Sequence, residues 1–213
     1  SGIVNASKVN LNNAQSRKKP VEFWEKIESK YDLDFGRALT IQMNQGTPKY
    51  DGAGNIAADE ANVRYYLNPS NFKEGTPAYL QFLLLDRSAN LTESQINSSF
   101  LNNAGTLQGA GNAFIEAGRK YNLNELYLLA HALHETGKGT STLAKGIGVD
   151  SNGNIVRDSN GNYIRNTSHP DVDHIVYNFF GYGAYDDNPI IGGVEYAFNN
   201  KWFNVHDAVV GGA

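Results

Sequence analysis

The chain has no cysteine, one methionine and two tryptophans. Without cysteine, a disulfide framework and a thiolate metal site are both excluded. The same absence leaves secretion open, because bacterial surface proteins often manage without disulfides. Positive charge is also in deficit. Lys and Arg number 18 against 22 Asp and Glu, a net charge of −4, so the basic footprint of a nucleic-acid binder is missing. No apolar run approaches the ~20 residues needed to span a bilayer. No secretory leader is visible at Ser1-Gly2-Ile3, so the compartment cannot be read from a targeting segment.

What is present suits a folded domain. The 213 residues are 40% hydrophobic and include 12 Tyr and 10 Phe, enough for a substantial core. One compact domain, or a main domain with a small lobe, is expected. Residues 1–19 are polar, rich in Asn and Ser, and end in Arg17-Lys18-Lys19, which reads as an exposed lead-in. Pro20, followed by Phe23, Trp24, Ile27 and Tyr31 at a spacing of three to four, predicts a helix over 20–32. A Gly-, Asn- and Asp-rich loop covers 44–58, and a helix over Glu60–Leu67 stops before Asn68-Pro69.

The apolar run over 79–85 is too short to be typed as strand or helix. Thr92 and Gln95 form a capping box opening a helix to about Asn102. A helix over 108–121 has Ala113, Phe114, Ala117 and Tyr121 on one face. The sequence between Val149 and Val176 repeats Asp-Ser-Asn-Gly-Asn at 150–154 and 158–162. Each copy carries an Asn-Gly pair, the strongest short hairpin signal, and predicts a small β-lobe. Helix returns at about 192–200, and Val209–Ala213 reads as a frayed tail.

The most informative stretch runs from Leu126 to Ser141. Leu126, Leu129, Ala130 and Leu133 recur at helical spacing, Asn124 is placed to cap, and Gly137 and Gly139 supply a stop. Glu135 therefore falls in the last turn. A helix C-terminus is a poor place for a carboxylate, and apolar surroundings would further favour its neutral form. A carboxylic acid that keeps its proton is what glycosidic cleavage needs to protonate the leaving oxygen.

Two metal readings fail on the residues. Asp150-x-Asn152-x-Asn154 begins like a calcium loop, but Ile155 and Gly161 stand where the pattern needs Gly and Glu. His134-Glu135 begins like a zinc motif, but Lys138 stands where the second imidazole belongs. Neither a metal nor a cofactor is expected. His131 and His134 read as hydrogen-bonded wall or core residues, with Tyr127, His131 and Glu135 on one helix face.

The run His131–Gly146 (HALHETGKGTSTLAKG) resembles the catalytic helix and loop of bacterial endo-β-N-acetylglucosaminidases. These are autolysin-type peptidoglycan hydrolases, glycoside hydrolase family 73. The run Tyr177–Asp186 (YNFFGYGAYD) resembles the family's second signature. Pro189, Gly193–Ala197 and Lys201-Trp202 follow in the family's order, and Gly111–Gly118 resembles the preceding helix. The similarity covers roughly Asn68 to Phe203.

The resemblance implies a lysozyme-like α+β fold: a mainly helical body with a β-lobe at about 149–176 flanking a substrate cleft. It implies a single catalytic domain over 20–213. It also implies a secreted, monomeric cell-wall enzyme, part of a longer chain with wall-binding repeats, acting on peptidoglycan glycan strands. Glu135 would be the general acid. The resemblance implies a second Glu supplied from the lobe, as in some members of the family, but here no Glu lies between Glu135 and Glu195.

The second catalytic function then falls to Asp171 or Asp173 on the lobe, to Asp186 in the signature, or to the substrate's own acetamido group. Tyr185 would hydrogen-bond the acetamido group or pack in the core. Substrate contacts are expected from Tyr177, Asn178, Phe180, Gly181, Tyr182, Thr140 and His131. A muramidase or lytic transglycosylase using the same acid, and a wall-binding module without catalysis, are the competing readings.

Overall fold

The computed structural model describes residues 3–8, 25–185 and 187–213; of 25 and 26, as of 3–8, it describes the backbone alone. The described residues fall into two compact units, one ending at Leu84 and one running from Leu85 to Ala213.

In the first unit, strand β1 (Ile3–Lys8) pairs antiparallel with β2 (Glu25–Lys30), Ile3 opposite Lys30 and Lys8 opposite Glu25. The predicted helix over 20–32 is therefore corrected: Glu25–Lys30 is a strand, and Ile27 is exposed. Residues 20–24, with Phe23 and Trp24, lie outside the described residues. A strand's partner is remote in sequence, so local spacing could not reveal it. Part of the expected lead-in, Ile3–Lys8, is likewise strand.

Helix α1 (Phe35–Asn44) is capped by Asp34, whose side chain accepts from the Arg37 N–H. Helix α2 (Glu60–Leu67) has the predicted limits and is capped by Asp59. The apolar run that could not be typed belongs largely to a 3-10 segment, Pro77–Phe82.

The second unit carries the larger core. Helix α3 (Glu93–Ser99) opens with the predicted capping box of Thr92 and Gln95. Helix α4 (Gly111–Tyr121) buries Ala113, Phe114 and Ala117, but Tyr121 points to solvent. Helix α5 (Glu125–Glu135) is capped by Asn124, whose side-chain oxygen accepts from the N–H groups of Leu126 and Tyr127. Its buried face is Leu128, Leu129 and Ala132; Ala130, expected in the core, is exposed.

Strands β3 (Ile147–Val149) and β4 (His174–Val176) pair antiparallel. Between them, bridges Val149 to Ile155 and Arg157 to Tyr163 close the two repeated turns as predicted. Helix α6 (Pro189–Asn199) follows. The expected frayed tail is instead helix α7 (Val205–Gly211), whose Ala208, Val209 and Val210 are buried. These side chains join the core that α4 also enters, and burial of apolar area overrides any tendency of a chain end to fray. No helix among the described residues is long and apolar enough to cross a membrane.

Candidate active site

Glu125 and Glu135 stand at the two ends of α5 and differ in every respect. Glu125 is 2% exposed. Its carboxylate accepts from the Ser88 hydroxyl and from the N–H groups of Ala89 and Leu91, all at 3.0 Å. The helix N-terminus favours negative charge there as well. This buried acid is fully engaged, and it fixes the start of α5 to the segment 88–91.

Glu135 is the last residue of α5, and its side chain is 44% exposed. Its Oε1 lies 3.6 Å from Nε2 of His131, one turn earlier. It ends the helix as expected, but the expected apolar enclosure is not found around it among the described residues.

The turn after Glu135 is tightly held. Thr136 is buried, donates from its hydroxyl to the Ala132 carbonyl, and accepts from the Gly139 N–H. Gly139 has φ +74°, and a Cβ there would lie 2.2 Å from the Ala104 carbonyl oxygen. Only glycine permits that approach. Thr140 is exposed, but its hydroxyl donates to the Gly137 carbonyl at 2.7 Å and so first serves the turn.

Along α5, the His131 ring sits between Tyr127 (6.1 Å between ring centres) and Phe180 (5.7 Å, edge to face). These residues, with Tyr182 and Leu128, line a cavity of about 500 Å³. That volume suits a small-molecule or sugar-sized group. Phe180 and Tyr182 come from the loop after β4. Tyr182 stacks on Tyr196 (5.2 Å, 14°) and meets Trp202 edge-on. The geometry thus brings His131, Phe180 and Tyr182 together one turn from Glu135.

No family model matches the chain. Over 162 residues, 76% of its length, it is 40% identical to a Beta-N-acetylglucosaminidase of Bacillus subtilis (strain 168). Its fold matches the crystal structure of a Major Bifunctional Autolysin, with a TM-score of 0.63 and 32% identity over 82% of this chain and 64% of that one. It also matches S. aureus glucosaminidase B, with a TM-score of 0.65 and 25% identity over 86% of this chain and 66% of that one. The chain belongs to the bacterial glucosaminidase and autolysin family. Its fold is the lysozyme-like α+β class of that family, mostly helical, with two small two-stranded sheets among the described residues. The matched region is 16% of the length of the B. subtilis relative.

Within this glucosaminidase-family chain, the second signature divides into accessible and internal residues. Asn178 is 2% exposed. Its amide donates to the carbonyls of Tyr182 (2.7 Å) and Gly193 (3.2 Å), and its oxygen accepts from the Phe180 N–H. The expected substrate contact is thereby corrected to a positioning residue, because a buried and satisfied amide has no face to offer. Tyr177 is half-buried, its ring near Phe179, and burial raises its phenol above the usual range. Gly183 is close to the Gly192 carbonyl, whereas Gly181 has open space around it.

Tyr185 is 79% exposed, so the core-packing reading is set aside. Its hydroxyl makes no hydrogen bond to a described residue. Asp186 lies outside the described residues. On the lobe, Asp171 and Asp173 are both exposed. Asp171 lies 3.9 Å from His169, and the Asp173 N–H donates to the Val149 carbonyl.

Sequence reasoning missed Arg165. Its Nη1 donates to the carbonyls of Thr142 (3.1 Å) and Gly146, and its guanidinium lies 5.7 Å from the Tyr163 ring centre. It ties the second hairpin of the lobe to the segment following Glu135. A lone arginine in a turn-rich region has no local pattern to announce it. Among the described residues no group of three His, Asp or Glu is arranged to hold a metal.

Proposed function

We propose that this chain hydrolyses the β-1,4 bond after N-acetylglucosamine in peptidoglycan glycan strands, with Glu135 as general acid. The observation that carries the reading is the placement of Glu135. It ends α5, is open to solvent, and lies one turn from an aromatic-lined cavity, in a chain 40% identical to a named β-N-acetylglucosaminidase.

In this reading Glu135 protonates the glycosidic oxygen as the bond breaks and an oxocarbenium-like centre develops. His131, within 3.6 Å, orients the carboxyl. The exposed Tyr185 hydroxyl engages the 2-acetamido group. Asp171 and Asp173 on the lobe direct water to the sugar, with Asp186 of the second signature as the alternative carboxylate. Pyranose C–H faces stack on Phe180 and Tyr182. Tyr177, Thr140 and Gly181 border the strand. The route consists of proton transfer and water attack and includes no cofactor.

The catalytic domain acts as a monomer within a longer polypeptide, outside the cell, in the wall. The names of the relatives, an autolysin among them, support that setting.

The test is lysis of purified cell walls followed by turbidity. Glu135→Gln lowers the rate a hundred-fold or more, the usual range for losing a general acid, while the protein still pellets with walls. Lysis by Glu135→Gln at the wild-type rate would overturn the assignment.

A further inference from the structure

The unit ending at Leu84 contains a feature that the chemistry at Glu135 does not use. Helices α1 and α2 are joined by a loop that is itself built. The Tyr50 N–H donates to the Ile56 carbonyl at 2.9 Å, and the Ala58 N–H to the Pro48 carbonyl at 2.8 Å. The Asp51 carboxylate accepts from the N–H groups of Asn55 and Ile56. Loop and helices enclose a groove of about 430 Å³, lined by Gln42, Lys49, Tyr50, Asn62, Val63 and Tyr66 among others.

Its two tyrosines are 60% and 63% exposed, yet Tyr66 is held. Its ring meets Tyr65 edge-on at 5.1 Å and lies 6.2 Å from Phe72. Phe72 in turn meets Phe82, and Phe82 meets the buried Tyr79. An aromatic ring fixed by its neighbours but left open offers contact area at little entropic cost. Around it, the side-chain amides of Gln42 and Asn62 make no hydrogen bond to a described residue. Lys49 has no ion pair among them either.

Rings, amides and one ammonium form a specific combination. Tyrosine faces accept the C–H faces of a pyranose. Amides match the donor and acceptor of an N-acetyl group. An unpaired ammonium attracts a carboxylate. A purely apolar peptide would leave all three polar groups without partners.

We propose that this groove is a second saccharide site, for an N-acetylated sugar bearing a carboxylate, such as the muramoyl unit of a wall glycan. It is built wholly from residues of the unit ending at Leu84, and it retains bound sugar without reacting with it.

The test uses monosaccharides, which contain no glycosidic bond to cut, so its outcome does not depend on the role of Glu135. N-acetylmuramic acid and N-acetylglucosamine are titrated into the whole chain and followed by NMR. N-acetylmuramic acid is expected to shift the resonances of Tyr50, Val63 and Tyr66. Lys49→Met should weaken that binding by about three-fold, the size of an exposed ion pair, and leave N-acetylglucosamine binding unchanged. Tyr66→Ala should weaken both by about ten-fold. Retained amide dispersion for residues 27–84 certifies that the unit carrying the substitutions still folds, and Asn62→Ala supplies a milder second loss.

Shifts confined to residues 85–213 would overturn the proposal. Binding indifferent to Tyr66→Ala and Asn62→Ala, or equal for the two sugars and insensitive to Lys49→Met, would do the same.

Discussion

Arg165, in the β-lobe, donates to the carbonyl oxygen of Thr142 at 3.1 Å, and the same nitrogen reaches Gly146. Two carbonyls of the segment after Glu135 are thus held by one cation on the lobe. Hydrogen bonds to a charged donor contribute about 1.5–3 kcal/mol each when a partner is removed. Arg165→Met should cost about 2 kcal/mol in urea unfolding and lower lysis about ten-fold. Arg165→Lys should recover only part of both, because an ammonium lacks the planar fork. Unchanged lysis in Arg165→Met would show that the lobe holds its place without it.

Gly139 allows the turn after Glu135 to close on Ala104. A side chain there meets a positive φ and a carbonyl oxygen at 2.2 Å. The left-handed conformation alone costs about 1–2 kcal/mol, and overpacking adds about 1–3 kcal/mol. Gly139→Ala should therefore destabilise the fold by about 3 kcal/mol. Gly137→Ala, at φ +53° with its nearest contact 3.6 Å away, should lose only about 1 kcal/mol. Equal denaturant midpoints for the two variants would contradict this.

His206 joins α7 to α4 through Glu116 at 3.0 Å, with Asp207 at 3.4 Å on its other nitrogen. The hydrogen bond to Glu116 raises its ionisation above the usual histidine value of 6.5, opposed by burial and helped by Asp207. A raised value in the fold means that the stabilisation is complete below about pH 6.5 and is lost as pH rises through the folded value. The melting temperature of the wild type should fall between pH 6 and pH 8.5 relative to His206→Gln. Parallel curves for the two proteins would remove this contribution.

Asp158 accepts from the N–H groups of Asn160 and Asn162 and from the Asn162 amide. The Asn162 side-chain bond, first among these, holds its carboxyl below the usual range. Its stabilising effect is present above the ordinary carboxylate value and is lost as pH falls through the folded one. Asp158→Asn should leave lysis within two-fold of wild type. A collapse of lysis would make Asp158 part of the reaction.

Local chemistry was the legible part of this chain. The Asn124 cap, the Thr92–Gln95 capping box, the limits of α2 and both Asn-Gly turns are settled by groups a few residues apart, so the amino acids announce them. The position of Glu135 at the end of α5 follows from the same rules.

What could not be read depends on remote partners. Glu25–Lys30 is a strand because Ile3–Lys8 pairs with it. Val209 and Val210 are buried because α7 reaches a core that they cannot specify alone. Asn178 sits within a recognised signature, but which way its amide turned was decided by the carbonyls of Tyr182 and Gly193.

The central claim is the bond that is cut and the acid that cuts it. The most direct measurement is mass spectrometry of borohydride-reduced products from purified peptidoglycan, with wild type and Glu135→Gln treated alike. The account predicts reduced N-acetylglucosamine ends from the wild type and none from Glu135→Gln. Reduced muramic-acid ends or anhydro sugars would move the cut to the neighbouring bond and contradict it. No new ends from either protein would leave the chain a binder of wall glycan and contradict the proposed hydrolysis.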